Sequence, residues 1–180
     1  MDTALQNNNF ADLCSMSVPK FRLVLARSSD AAQIAQLAAK IWQQHYPAII
    51  GQKQVDYMLH LLYSEEALRK QMGEGQQFFI IDINGVAAGY ISVSSKGNGN
   101  YFLHKFYIDQ EHQTKGLGKA VFIETTMLFP DLVKWTLTVN RKNYKSINFY
   151  FRNGFVIESV ADFDIGDGYF MEDFVMVWNK

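Results

Sequence analysis

The segment Phe106-Tyr107-Ile108-Asp109-Gln110-Glu111-His112-Gln113-Thr114-Lys115-Gly116-Leu117-Gly118-Lys119-Ala120 decides how this chain is read. An apolar run with strand character leads into Gln113-x-x-Gly116-x-Gly118, and helix-compatible residues follow. Glycines let a backbone approach a ligand closely and adopt positive φ. The N–H groups of Lys115 to Lys119 can then converge on an anion, helped by the positive end of the helix. Lys115 and Lys119 add charge, so the turn suits a pyrophosphate. A dinucleotide fingerprint would need glycine or alanine where Val121 stands. A Walker-type loop would need Ser or Thr after Lys119, where Ala120 stands. A plain helix-start turn is the remaining alternative.

Working outward, Tyr101 to Asp109 reads as the strand before this turn, and Leu117 to about Leu128 as the helix after it, ended by Pro130. Upstream, Phe78–Ile83 and Val86–Val93 flank Asn84-Gly85, a strong two-residue hairpin signal. Phe21–Ala26 reads as the first strand. Ser29 or Asp30 can cap a helix whose apolar residues Ile34, Leu37, Ala38 and Ile41 recur at helical spacing, with Pro47 ending it. A second helix fits Val55, Met58, Leu59 and Leu62, and Ser64 starts a short third. Downstream come a strand at Trp135–Val139, a helix at Tyr144–Arg152 closed by Asn153-Gly154, and two strands around Asp167-Gly168. Strands mixed with helices predict an α/β fold, a sheet with helices on its faces.

A second block carries a family pattern: Leu137-Thr138-Val139, then Asn143-Tyr144-Lys145-Ser146-Ile147-Asn148-Phe149-Tyr150, then Asn153-Gly154-Phe155. Together with Gln113-x-x-Gly116-x-Gly118 it resembles the GNAT superfamily of N-acetyltransferases. The Ser-Ile-Asn-Phe-Tyr run is similar to the polyamine (spermidine/spermine) acetyltransferases. The resemblance implies the GNAT acyl-CoA N-acyltransferase fold, a mixed, mostly antiparallel sheet of about seven strands flanked by helices. It covers about residues 21–178, in a domain read as residues 21–180, with residues 1–20 read as a flexible N-terminal extension. It implies acetyl-CoA as cosubstrate. Gln113, Thr114, Lys115, Gly116, Leu117, Gly118 and Lys119 would hold the pyrophosphate. The main chain of Phe106, Tyr107 and Ile108 would pair with the pantetheine arm, and Asn143 and Ser146 would help seat the cofactor. Tyr150 would sit beside the sulfur as the catalytic acid, although without that motif it reads as a core aromatic among Ile147, Phe149 and Phe155.

Direct attack of an amine on a thioester requires a neutral amine, and a lysine-like amine near pKa 10.4 loses about 4–5 kcal/mol to deprotonation at pH 7. Relatives that use a strand glutamate as base carry it where Phe102 stands here. His104, two residues on and so on the same face of a regular strand, becomes the candidate base. His45 and Tyr46 are weaker candidates for lining the acceptor site.

The chain has 180 residues, 48% apolar and 19% charged, with net charge −1. Nothing in that balance favours nucleic acid or an acidic membrane. Cys14 is the only cysteine, which excludes an internal disulfide and suits a reducing cytoplasm. The four histidines and one cysteine are scattered, and no metal site is expected. The expected partner is a small-molecule amine acceptor, and the oligomeric state, a homodimer included, stays open. Residues 158–173 hold six acids (Glu158, Asp162, Asp164, Asp167, Glu172 and Asp173) and no lysine or arginine. They suggest a cationic acceptor, or else a solvated hairpin. Transfer to a protein amine and a non-catalytic acyl-CoA-binding module are the competing functions.

Overall fold

A computed structural model describes residues 18–180. Cys14 and most of the expected N-terminal extension lie outside the described residues.

Seven strands form one sheet in the order β1-β2-β3-β4-β5-β7-β6. They are β1 (Arg22–Leu25), β2 (Gln77–Ile83), β3 (Val86–Gly97), β4 (Asn100–Ile108), β5 (Lys134–Asn140), β6 (Val156–Gly166) and β7 (Tyr169–Asn179). All neighbours are antiparallel except β4 and β5. The expected hairpin turns form where the residues tolerate left-handed backbone, at Asn84 (φ 54°) with Gly85 (φ 86°) and at Asp167 (φ 51°) with Gly168 (φ 76°).

On one face lie α1 (Ala31–His45), α2 (Pro47–Ile50), α3 (Gln52–Tyr63) and α4 (Glu65–Gly73). Ile34, Leu37, Ala38 and Ile41 of α1 are buried, as their spacing predicts. Pro47 does more than end α1. It opens α2, where its fixed φ and missing N–H cost nothing. Ser64 caps α4 by accepting the Ala67 N–H at 3.3 Å. Asp30 holds the α1 start differently from a side-chain cap on α1: its carboxylate accepts the Arg27 N–H at 2.7 Å across a short 3-10 turn.

On the other face lie α5 (Leu117–Met127) and α6 (Tyr144–Arg152). Their buried side chains, Leu117, Val121, Phe122, Ile147 and Tyr150, pack with Ile91, Leu103, Trp135 and Leu137 of the sheet. The sheet therefore separates two cores, and the second contains Trp42, Met58, Tyr63, Phe78 and Tyr90.

Two irregularities of β4 shape the rest. Its pairing with β5 covers only Asn100–Phe102 against Lys134–Thr136, and beyond Phe102 the two strands part. Against β3, Phe102 pairs with Ser94 and Leu103 with Val93, but Lys105 pairs with Ser92. His104 is thus an extra residue in β4, a bulge that re-aims everything after it.

Candidate active site

The opening between β4 and β5 lies where two cavities share walls. Phe106, Tyr107, Tyr46, Ser146 and Tyr150 line both. One cavity, about 200 Å³, runs on the α5–α6 side past Ile108, Gln113, Thr114, Leu117, Gly118 and Phe149. The other, about 420 Å³, runs beneath α1 and α3 to Gln71, Gln76, His104 and Lys105, and is bounded by Thr138, Phe163 and Asp173.

The glycine turn forms the end of the smaller cavity. Gly116 takes φ 89°, the left-handed N-cap that a side chain would strain, and α5 starts at the next residue. The N–H groups of Lys115, Gly116, Gly118 and Lys119 find no acceptor among the described residues. The Lys115 and Lys119 side chains are exposed beside them. This is a set of unsatisfied donors at a helix start with flanking positive charge, which fits a pyrophosphate. The turn is anchored from behind. Asp109 is 2% exposed, pairs with Lys40 at 2.6 Å and accepts the Glu111 N–H at 3.2 Å. Gln113 donates to the Ile108 carbonyl at 2.8 Å and accepts from Lys145 at 2.7 Å, tying α6 to the end of β4.

Past Phe102 the β5-facing edge of β4 is unpaired, so Phe106–Ile108 present backbone groups that a linear amide chain can meet. Tyr150 is 8% exposed, and burial holds its phenol well above the ordinary range. Its hydroxyl makes no hydrogen bond to a described residue, although its ring is fixed edge-on to Phe149 at 5.4 Å and against Phe155 at 5.4 Å. A protonated donor thus stands free where the cavities meet.

These features are accompanied by a direct family match: the acetyltransferase (GNAT) domain matches residues 48–163. The chain belongs to the GNAT acetyltransferases. It is an acetyl-CoA-dependent N-acetyltransferase, and the fold is the one its family implies. The spermidine N(1)-acetyltransferase of Thermoplasma acidophilum is 25% identical over 142 residues, 75% of this chain and 88% of that one. The crystal structure of the PaiA N-acetyltransferase of the same organism, in complex with coenzyme A, superposes with a TM-score of 0.73. It is 21% identical and covers 89% of this chain and 99% of that one. A spermidine N-acetyltransferase chimera involving the Vibrio cholerae enzyme gives a TM-score of 0.64 at 16% identity, covering 88% and 97%.

Of the residues expected from the sequence, Phe106, Tyr107, Ser146 and Tyr150 line both cavities, Ile108, Gln113, Thr114, Leu117 and Gly118 the smaller one, and His104 and Asn143 the larger one, while Lys115, Gly116 and Lys119 stand in the turn itself. Leu117 is fully buried and packs the core, leaving its backbone to the turn. A Cβ on Gly118 would meet the Phe149 ring at 3.3 Å, so this glycine serves the packing of α5 on α6. Asn143 is the N-cap of α6, accepting the Ser146 N–H at 3.2 Å, and it contacts His45 at 3.3 Å. It lines the larger cavity, whereas Ser146 borders both.

His104 lies in the larger cavity, with Nε2 2.8 Å from the Ser94 hydroxyl. Burial, with Lys105 and Lys96 nearby, holds its pKa at about 4, so it is neutral at pH 7 and a weak base. Asp173 is 6% exposed, and burial raises its carboxyl to about 6, against the Thr138 hydroxyl and Arg141. The other acids of the hairpin are mostly neutralised. Arg141 pairs with Asp162 at 2.7 Å, Lys142 with Glu172 at 3.3 Å, and Lys134 with Glu158 at 2.8 Å. Of the six acids between residues 158 and 173 only Asp173 is buried, and Lys105, a residue outside every motif of the sequence, is 7% exposed in the same cavity. No described helix is long and apolar enough to cross a membrane.

Proposed function

We propose that this N-acetyltransferase acts on the primary amine of a small acceptor that enters as an ammonium ion in the larger cavity. The observation that carries the proposal is the junction of the two cavities at Tyr150, with a buried carboxylate, Asp173, on the acceptor side only. On this reading the turn from Gln113 to Lys119 binds the coenzyme A pyrophosphate through its free N–H groups and two lysines. The edge of Phe106–Ile108 pairs with the pantetheine amides.

Asp173, ionised above about pH 6, attracts the incoming ammonium and takes its proton. The freed lone pair attacks the thioester carbonyl, whose oxygen is met by a β4 backbone N–H. The carbon–sulfur bond then breaks, the Tyr150 hydroxyl donates a hydrogen bond to the departing thiolate, and the extra proton on the new amide nitrogen passes to that thiolate to give the free thiol. Asp173 is preferred to His104 as base because its conjugate acid is the weaker one, about 6 against about 4.

A concave acceptor pocket with Tyr46, Tyr107 and Phe163 in its wall suits a small molecule better than a protein segment. The spermidine-named relative in Thermoplasma acidophilum supports a small amine that enters as an ammonium ion. Residence in a reducing cytoplasm accords with the single cysteine. Thiol release from acetyl-CoA, measured across free amines and lysine peptides, is the test. Turnover with small amines is expected. Turnover with peptides alone would overturn the small-acceptor reading.

A further inference from the structure

The larger cavity has a second charged end that acetyl transfer itself does not use. Phe78, Ser92 and Lys105 are cross-strand neighbours on β2, β3 and β4, in one row on the face that α1, α3 and α4 cover. The Lys105 side chain lies along that row. Its Nζ is 5.2 Å from the centre of the Phe78 ring and 5.3 Å from that of Tyr63. It donates to Gln71 Oε1 at 2.6 Å, and no carboxylate among the described residues lies within salt-bridge distance. The Gln71 amide group is already committed to the Leu62 carbonyl at 2.8 Å. Gln76 Oε1 accepts from Ser92 at 2.9 Å, which leaves the Gln76 amide hydrogens without an acceptor among the described residues. Lys105 and Gln76 both line the cavity.

This end is rich in donors and lacks an anion. An ammonium buried among aromatic rings without a counter-ion is costly. Burial accordingly lowers the Lys105 pKa to about 7. Each carboxylate oxygen can accept several hydrogen bonds, so a carboxylate satisfies Lys105 and Gln76 together.

We infer that Lys105 and Gln76 form an anion subsite, and that the acceptor is an amine bearing a carboxylate at its far end rather than a second ammonium. This rests on the proposed acetyl transfer in the same cavity. Phe78 lies two strands from β4, and strands are about 4.8 Å apart, so the subsite is set back from the β4–β5 opening by roughly 5–10 Å, which a chain of roughly four to six carbons spans. Asp173 at one end and Lys105 at the other then read the two ends of a zwitterion in a fixed direction.

The test compares n-hexylamine, hexamethylenediamine and ε-aminocaproate in the thiol-release assay. The wild-type kcat/KM for ε-aminocaproate is expected to exceed that for the diamine by about 10- to 100-fold, the range of a charge-assisted hydrogen bond. In Lys105→Met the ratio is expected to fall to within about threefold. A wild-type preference for the diamine, or a ratio unchanged in a folded Lys105→Met protein, overturns the inference. Calorimetry on the wild type, in buffers of different ionisation enthalpy near pH 7, needs no variant. Binding of N-acetyl-ε-aminocaproate should take up protons as Lys105 becomes charged, and binding without uptake counts against the subsite. If no amine released thiol, the transfer reading would fail, and the calorimetric result alone would decide the subsite.

Discussion

Replacing Tyr150 by Phe separates catalysis from folding at this site. The ring is wedged between Phe149 and Phe155 and is 8% exposed, so its apolar contacts are preserved in the variant. The hydroxyl has no partner among the described residues, so its removal strands no donor or acceptor. Among the described residues, the side-chain atoms buried without a partner are Trp42 Nε1 and Tyr90 Oη, and Tyr150, which lines both cavities, is not among them. The change in stability should therefore stay within about 1 kcal/mol, roughly 2–4 °C in Tm for a domain of this size.

The effect on rate should be much larger. A phenol at or above pKa 10 cannot fully protonate a thiolate whose conjugate acid is near 8.5 without a cost of about 2 kcal/mol or more. The hydroxyl therefore acts as a hydrogen-bond donor to charge that appears on sulfur only in the transition state. Its loss should lower kcat on the order of 10²-fold, about 2.7 kcal/mol, with little change in the KM for acetyl-CoA. Initial-rate kinetics at saturating acceptor, with a thermal melt of the same preparation, give both numbers. A folded Tyr150→Phe protein with kcat within threefold of wild type would remove Tyr150 from the mechanism. Since burial only raises the phenol's pKa, no loss of activity below pH 9 should trace to its ionisation.

Asp173→Asn should lower kcat/KM and abolish an acidic limb of the pH–rate profile near pH 6; an unchanged limb would assign the base elsewhere. The same substitution should stabilise the fold at pH 7.5. The folded pKa of about 6 exceeds the reference 3.8, so the carboxyl's contribution is complete below about pH 4 and is lost as pH rises through 6. Removing that loss is worth roughly 3 kcal/mol, and melts of the two proteins should converge below pH 4. His104→Gln should leave the acidic limb in place, because an imidazole held near 4 is already neutral there; a displaced limb would restore His104 as base. Gly118→Ala puts a Cβ 3.3 Å from a Phe149 ring that is stacked on Phe106 at 5.6 Å. The helix propensity of Ala, about 1 kcal/mol over Gly, should offset the crowding in stability, while coenzyme A affinity by calorimetry falls several-fold. Unchanged affinity would show that the ring yields freely.

Much of the fold was legible because its signals are local. Asn84-Gly85 and Asp167-Gly168 are the residues that left-handed turns admit, and Ile34, Leu37, Ala38 and Ile41 recur at the helical period of the face they bury. The glycine turn was legible for the same reason, since Gly116 takes the backbone conformation that only its missing side chain makes cheap. Gly118 looked like part of the same device, but its reason is tertiary. The ring it accommodates belongs to a helix 31 positions further along the chain, and no local pattern reports that contact.

The acceptor side was misread at one residue, and the cause is geometric. Strict alternation from Phe102 puts His104 and Phe106 on one face and sends Lys105 to the other. The bulge at His104 inserts one residue into that count. Phe102 then shares its face with Lys105 and Tyr107, as their partners Ser94, Ser92 and Tyr90 show by alternating regularly along β3. A residue that period-two reading assigns to the core of α5 and α6 instead enters the acceptor cavity. Phe106, which the same count puts beside Phe102, goes to that core in its place and stacks on Phe149 at 5.6 Å. The same bulge places an ammonium in the wall of the cavity that Asp173 also lines, so the irregularity that defeats strict alternation is also what makes the cavity two-signed. A regular β4 would leave an acceptor pocket with a carboxylate and no cation, suited to a diamine. The bulged strand is suited to an amine with an acid at its other end.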